Sequence, residues 1–200
     1  SLVAALDDRG LWSALTGSTY HYIRVLLSSE RVITQSGERS LLKNLGSWLG
    51  RLTIGRNQPV LARDLDVKAT LVDAYAAGRL IAVLPFVHKV VEPCRDSKVF
   101  RPANPWLAGV LALVAEIYSQ DRLKLNLKFE IEMMFRSLGV PLADFKPSDL
   151  LRRHPRAAGA GASADFSEAR PVAAAGPGGA GRASTRCPTC WRPSPGGATR

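Results

Sequence analysis

The side chains that could do chemistry in this chain are few and scattered. There are three histidines, His21, His88 and His154. A general base has to lie within hydrogen-bond reach of the group it activates. None of the three sits in a recognisable motif with a Ser or Cys nucleophile, and His88, inside an apolar run, reads as a packed or boundary histidine. Glu130 and Glu132 flank Ile131; two positions apart on a helix, they cannot face each other as an acid and base pair. Cys187-Pro188-Thr189-Cys190 has the spacing of half a zinc site. A structural zinc needs four ligands, and neither a second pair nor two suitably spaced histidines follow. A redox role for the pair would need a βαβ setting that the sequence lacks. Gly176-Pro177-Gly178-Gly179 belongs to a low-complexity stretch, and there is no P-loop, Rossmann glycine fingerprint or HExxH. These residues predict a protein that is not an enzyme, with no catalytic, cofactor-binding or metal site and no cofactor.

The elements that would position such residues are helices throughout. From Glu38 to Pro59 the apolar residues Leu41, Leu45, Trp48, Leu49 and Leu52 recur at i, i+4, i+7, i+8 and i+11, the stripe of an amphipathic helix ending near Ile54. Arg39, Lys43, Asn44, Ser47 and Arg51 form its basic, amide-bearing outer face, which the plain reading leaves merely solvated. Leu2 to Leu6 reads as the end of an earlier helix. Asp7-Asp8 offers a cap for a helix to about Leu27, with Leu11, Trp12, Leu15, Tyr22, Ile23 and Leu26 as its stripe. Ser28 to Gly37 is a polar connector. Asp64-Leu65-Asp66 starts a short helix closed by Gly78. The run from Leu80 to Cys94, apolar nearly all round, must be buried on most sides, and Pro85 within it removes a backbone donor and should kink it. Asn104-Pro105 is a helix start. One stretch is ambiguous: Leu123, Leu125, Leu127, Phe129 and Ile131 alternate with polar residues as a strand would. No partner strand exists elsewhere, so the first few residues are read as extended and the rest as a helix ending at Gly139. Pro141 to Leu151 is a loop with one last turn.

Lys and Arg outnumber Asp and Glu by 27 to 17, and the excess is spread over both the first 153 residues (net +6) and the remainder (net +4). A dispersed excess suits an acidic protein partner or weak RNA contact. No apolar run approaches the ~20 residues of a membrane span, and no signal peptide is evident. Three cysteines, two of them late in the chain, give no disulfide framework, and Cys94 reads as a small buried hydrophobe. After Arg153 the composition turns to Ala, Gly, Pro, Ser, Thr and Arg, which predicts a disordered tail over residues 154–200.

Several blocks in register carry a resemblance: SLLKNLGSWLG, DLDVKATLVDAYAAG, PFVHKVVEPC, VFRPANPW and LKLNLKFEIE. Together they resemble the scaffold subunit of the CCR–NOT deadenylase complex, in its central HEAT-type domain, itself similar to the middle domain of translation initiation factor four-G. The likeness covers roughly residues 1 to 152. It implies an all-α, HEAT-like antiparallel helical-hairpin solenoid over residues 1–153, beginning on Ser1 without the family's first helices, so that its opening end would show apolar surface. Periodicity alone leaves bundle and solenoid open.

The resemblance further implies a non-catalytic docking platform for a DEDD-type deadenylase subunit and, on the concave side, a DEAD-box RNA helicase. Other CCR–NOT subunits would be joined through the parent chain, and direct RNA contact would be weak. The implied role is mRNA poly(A) shortening and translational repression in the cytoplasm, including mRNA-processing bodies, and secondarily in the nucleus. Partner-binding candidates are Arg39, Lys43, Asn44 and Arg51 on the basic helix, which would suit an acidic helicase surface, and Phe100, Arg101, Asn104 and Trp106 from the connector over residues 99–104 and the helix start that follows it. Against these stand a capping role for Asn104 and a core role for Trp106. The alternative is an RNA-associated adaptor of the same fold in translation initiation or splicing, which the SLLKNLGSWLG and LKLNLKFEIE blocks disfavour.

Overall fold

A computed structural model describes residues 9–153 and 165–166. Eight α-helices follow one another among them: α1 (Arg9–Ser28), α2 (Arg31–Thr34), α3 (Ser36–Leu52), α4 (Val67–Ala77), α5 (Leu80–Val91), α6 (Pro105–Tyr118), α7 (Leu125–Leu138) and α8 (Leu150–Arg153). Short 3-10 turns lie at Ile54–Arg56, Glu92–Arg95 and Leu142–Asp144. No strand is present among the described residues; Leu123 and Phe166 make an isolated antiparallel bridge.

Local chemistry sets most of the boundaries. The Asp66 carboxylate accepts from Lys68 N and Ala69 N and starts α4, and Asn104 does the same for Trp106 N at the start of α6, with Pro105 at the first helical position. Gly78 and Gly139 end α4 and α7 in the left-handed region, at φ 69° and 70°, where a side chain would be strained. α5 runs as one helix through Pro85.

Three helical hairpins stack in succession. α1 packs on α3, α4 on α5 and α6 on α7, while α3 lies along α5 and α5 along α7. The result is the HEAT-like all-α architecture, with α3, α5 and α7 as one layer and α1, α4 and α6 as the other. α5 is the middle of the core: Leu80, Leu84, Phe86, Val87, Val90 and Val91 are all buried completely. That burial explains why its sequence has no polar face.

The α3–α5 contact corrects the phase of the expected stripe. The buried face of α3 is Leu42, Gly46, Leu49, Gly50 and Leu52, whereas Leu41 and Trp48 are exposed. The reason is the two glycines four residues apart. A Cβ at Gly46 would stand 2.8 Å from the carbonyl oxygen of Phe86, and one at Gly50 2.7 Å from that of Val90. The helices therefore meet backbone to backbone at a place that carries no hydrophobic signal.

α1 departs from expectation in the same way. Tyr20 and Ile23 are buried, but Tyr22 and Leu11, assigned to its stripe, are exposed. The supposed polar connector holds α2, which buries Val32. The predicted opening segment Leu2–Leu6 and the Asp7-Asp8 cap lie outside the described residues. So do His154, Cys187 and Cys190 and nearly all of the expected tail. Two tail residues are described, Asp165 and Phe166, and both are buried.

Candidate functional site

One cluster of titratable groups lies where α5 meets α7. His88, buried, places Nδ1 2.7 Å from Glu130 Oε1 and Nε2 3.2 Å from Ser137 Oγ. Acid, histidine and hydroxyl in this order have the outline of a hydrolytic triad, brought together from 42 and 49 residues apart. Ser137 does not fit the nucleophile's part. Its hydroxyl donates to Met134 O at 2.7 Å, so its proton is spent on the helix backbone rather than held for a base. It also sits inside a helix whose amides are spent on the helix itself, so nothing forms an oxyanion hole. The cluster is a clip between adjacent hairpins. The hydrogen bond from His88 is the main cause that holds the Glu130 carboxyl below its usual range. Partial burial opposes it, and the charges of His88, Lys43 and Lys89 add to it.

α3, α5 and α7 pack side by side in one layer. Lys89 Nζ of α5 holds Glu92, in the turn after it, at 2.9 Å. Lys43, Asn44 and Arg51 are exposed, as expected of an outer face. Arg39 is half-buried, and its guanidinium donates to Ile33 O at 2.8 Å, holding α2 against α3.

The connector is tied to the same layer. Asn57 Oδ1 accepts from Ser97 Oγ (2.8 Å) and Lys98 N (3.3 Å), joining the loop after α5 to the loop after α3. Arg101, in the connector so tethered, is exposed. Phe100 is buried, with Trp106 edge-on to it at 6.0 Å, and Trp106 is half-buried. Asn104 spends its oxygen on the helix cap and its amide nitrogen on Val99 O. Of the eight candidates, Lys43, Asn44, Arg51 and Arg101 therefore offer free polar surface.

The sequence reading missed an exposed apolar stripe on α7. Leu125, Phe129 and Met133, one helical turn apart on α7, are 82%, 60% and 36% exposed. Lys128 and Glu132 flank them, engaged with Tyr118 of α6 through a cation–ring contact at 5.5 Å and a hydrogen bond of 2.8 Å. An apolar stripe rimmed by polar groups that are already positioned is the anatomy of a protein-binding surface. The available signal was the alternation from Leu123 to Ile131, which superposes a core face (Leu127, Ile131) on an outward one (Leu125, Phe129).

Among the described residues no group of three or more His, Cys, Asp and Glu could hold a metal ion, and no helix is long and apolar enough to cross a membrane. Cys94 is buried, which pushes its thiol pKa up to about 12.

Over residues 1–160 the chain matches the family described as the CCR4-NOT transcription complex subunit 1 CAF1-binding domain. It is 38% identical over 155 residues to the CCR4-NOT transcription complex subunit let-711 of Caenorhabditis elegans, an alignment covering 75% of this chain and 6% of the relative. It is 38% identical over 149 residues to general negative regulator of transcription subunit 1 of Schizosaccharomyces pombe, covering 74% and 7%. For the Saccharomyces cerevisiae protein of that description the identity is 33% over 150 residues, covering 75% and 7%. The chain spans less than a tenth of the length of these relatives. A match across four fifths of its residues, on the helical fold just described, establishes that the chain belongs to the family of CAF1-binding domains of CCR4-NOT transcription complex subunit 1.

Proposed function

We propose that this domain is a non-catalytic platform that docks the CAF1-type deadenylase, a nuclease of the DEDD class, for shortening of mRNA poly(A) tails. The observation that carries the reading is the exposed stripe of Leu125, Phe129 and Met133 on α7. A long-lived complex needs a desolvated apolar centre, and burying one side chain such as Phe129 is worth about 1.5–3 kcal/mol. The family to which the chain belongs is defined by binding of CAF1, a partner that fits this reading.

A DEAD-box RNA helicase that represses translation is the second proposed partner, on Lys43, Asn44, Arg51 and Arg101. These exposed groups suit an acidic surface, and their contribution falls mainly on association rate. The proposed setting is the cytoplasm with its mRNA-processing bodies, and the nucleus as well. Other CCR4-NOT subunits would be reached through the rest of the parent protein.

Binding of each partner is measured separately against two variants. Phe129→Asp should weaken the deadenylase by at least tenfold and leave the helicase unchanged. Lys43→Glu with Arg51→Glu should do the reverse, more strongly at low salt. Exposed substitutions of this kind change stability by less than about 0.5 kcal/mol each, so both variants should melt like the parent. Deadenylase affinity indifferent to Phe129 would overturn the α7 assignment, and poly(A) turnover by the chain alone would overturn the platform reading itself.

A further inference from the structure

α5 has no cap of its own. The residue before it, Arg79, makes no side-chain bond to the helix, and its guanidinium donates instead to Leu27 O at 2.6 Å. The first turn of α5 contains no acidic residue. Its leading amides would therefore be unsatisfied in the middle of the core.

The missing acceptor comes from 85 residues further along the chain. Asp165 Oδ2 accepts from Leu80 N at 2.7 Å and Oδ1 from Ile81 N at 2.8 Å. The carboxylate is completely buried, a costly state unless both oxygens are bonded; its negative charge also suits the positive end of the helix. The next residue is anchored independently. Phe166 is buried, stands edge-on to Tyr75 of α4 at 5.8 Å and bridges Leu123. The Asp165 carbonyl accepts from Lys124 N at 3.0 Å. Two adjacent residues thus bind an amide pair, an aromatic wall and a backbone edge, contributed by the second hairpin and by the strand-like lead into α7.

We propose that this socket, formed by the N-terminus of α5, Tyr75 and Leu123–Lys124, is a binding site for an Asp–aromatic peptide, and that Asp165–Phe166 occupies it in cis. Its specificity follows from its walls. The paired amides at the helix start accept a carboxylate in bidentate fashion, and the ring of Tyr75 with Leu123 accepts a flat apolar side chain at the next position. Tethering gives the internal motif an effective concentration of ~mM, so a modest intrinsic affinity keeps the site filled. The pair also ties the second hairpin to the third.

Amide exchange in the full chain reads the site directly, because Leu80 and Ile81 have no acceptor within their own helix. Asp165→Ala should speed exchange at these two amides by tenfold or more and change amides in the middle of α5, such as Val87, far less. Phe166→Ala should do so to a smaller extent. A synthetic peptide of residues 162–169, added to the Asp165→Ala/Phe166→Ala chain, should restore protection at Leu80 and Ile81 with a Kd of about 0.1 mM or below, a tenth of the effective concentration of the tethered motif. The same peptide should bind the intact chain at least tenfold more weakly. Unchanged exchange at Leu80 and Ile81 in Asp165→Ala would overturn the in-cis occupancy. Failure of the peptide to protect them in the double variant would overturn the peptide site.

Discussion

Gly50→Ala tests how α3 and α5 meet. A methyl group at this position would lie 2.7 Å from Val90 O, 3.0 Å from Lys89 O and 3.2 Å from Val90 Cα. All three atoms belong to the backbone of α5, so none can rotate aside, and the two helices would have to part by about half an ångström to restore ordinary contact. Parting them loosens a seam that also holds Gly46 against Phe86. Two effects compete. Replacing Gly by Ala inside a helix gains about 1 kcal/mol of propensity, while forcing a methyl into a close-packed core costs about 1–3 kcal/mol, occasionally more. With unyielding backbone on the far side the upper part of that range applies. The net loss should be about 1–2 kcal/mol, or roughly 3–6 °C in melting temperature for a domain of this size. Gly17→Ala is the control: nothing lies within 4 Å of its added carbon, so only the propensity gain remains, and melting should rise by about 2–3 °C. Thermal denaturation followed by far-ultraviolet circular dichroism compares the two. The same substitution should shift the midpoint in opposite directions, and a Gly50→Ala chain as stable as Gly17→Ala would refute the close-crossing argument.

Glu130→Gln should destabilise the chain at pH 7 by about 1.5–3 kcal/mol, the usual worth of a hydrogen bond to a charged group. Because folding lowers the Glu130 pKa below its ordinary value of 4.5, its contribution is complete above that value and is lost as pH falls through the lowered one. Urea denaturation should therefore show the gap between parent and variant closing in acid; an equal gap at pH 7 and pH 3 would dismiss the hydrogen bond to an ionised Glu130. Cys94, buried and with its thiol pushed up to about 12, should resist alkylation at pH 8 until the chain is denatured, as mass spectrometry of its peptide would record. Leu49→Asp places an unpaired charge on a completely buried position of α3 and should cost several kcal/mol, most of the stability of a domain; an unchanged melting temperature would contradict the observed helix face.

What the sequence disclosed was local, and what it concealed depended on contacts between distant segments. Asp66, Gly78, Asn104-Pro105 and Gly139 act within a few residues of themselves, so the ends of α4, α6 and α7 were legible. The phase of α3 was not, because Gly46 and Gly50 are silent on a hydrophobic scale although their four-residue spacing marks the buried face. The alternation from Leu123 to Ile131 was resolved correctly into an extended start and a helix. It still hid the exposed stripe, since an outward apolar face looks like a second core face until exposure is known. The basic groups on α3 were found by pattern, but Arg39 proved to be engaged with α2, and Phe100 to be core. His88, Glu130 and Ser137 come together only through the packing of α5 on α7. The Asp165–Phe166 pair was lost in a composition average, because two residues scarcely alter the character of a segment rich in Ala and Gly.

The central claim, that this domain is a docking platform centred on α7, is tested most directly by calorimetric titration of the chain with the CAF1-type deadenylase. The comparison is between the parent and Leu125→Asp/Phe129→Asp. The account predicts a saturable one-to-one complex for the parent and a loss of at least thirtyfold in affinity for the variant, about 2 kcal/mol as for a central hot spot, with melting temperature unchanged. An affinity equal to that of the parent in a folded variant would contradict it.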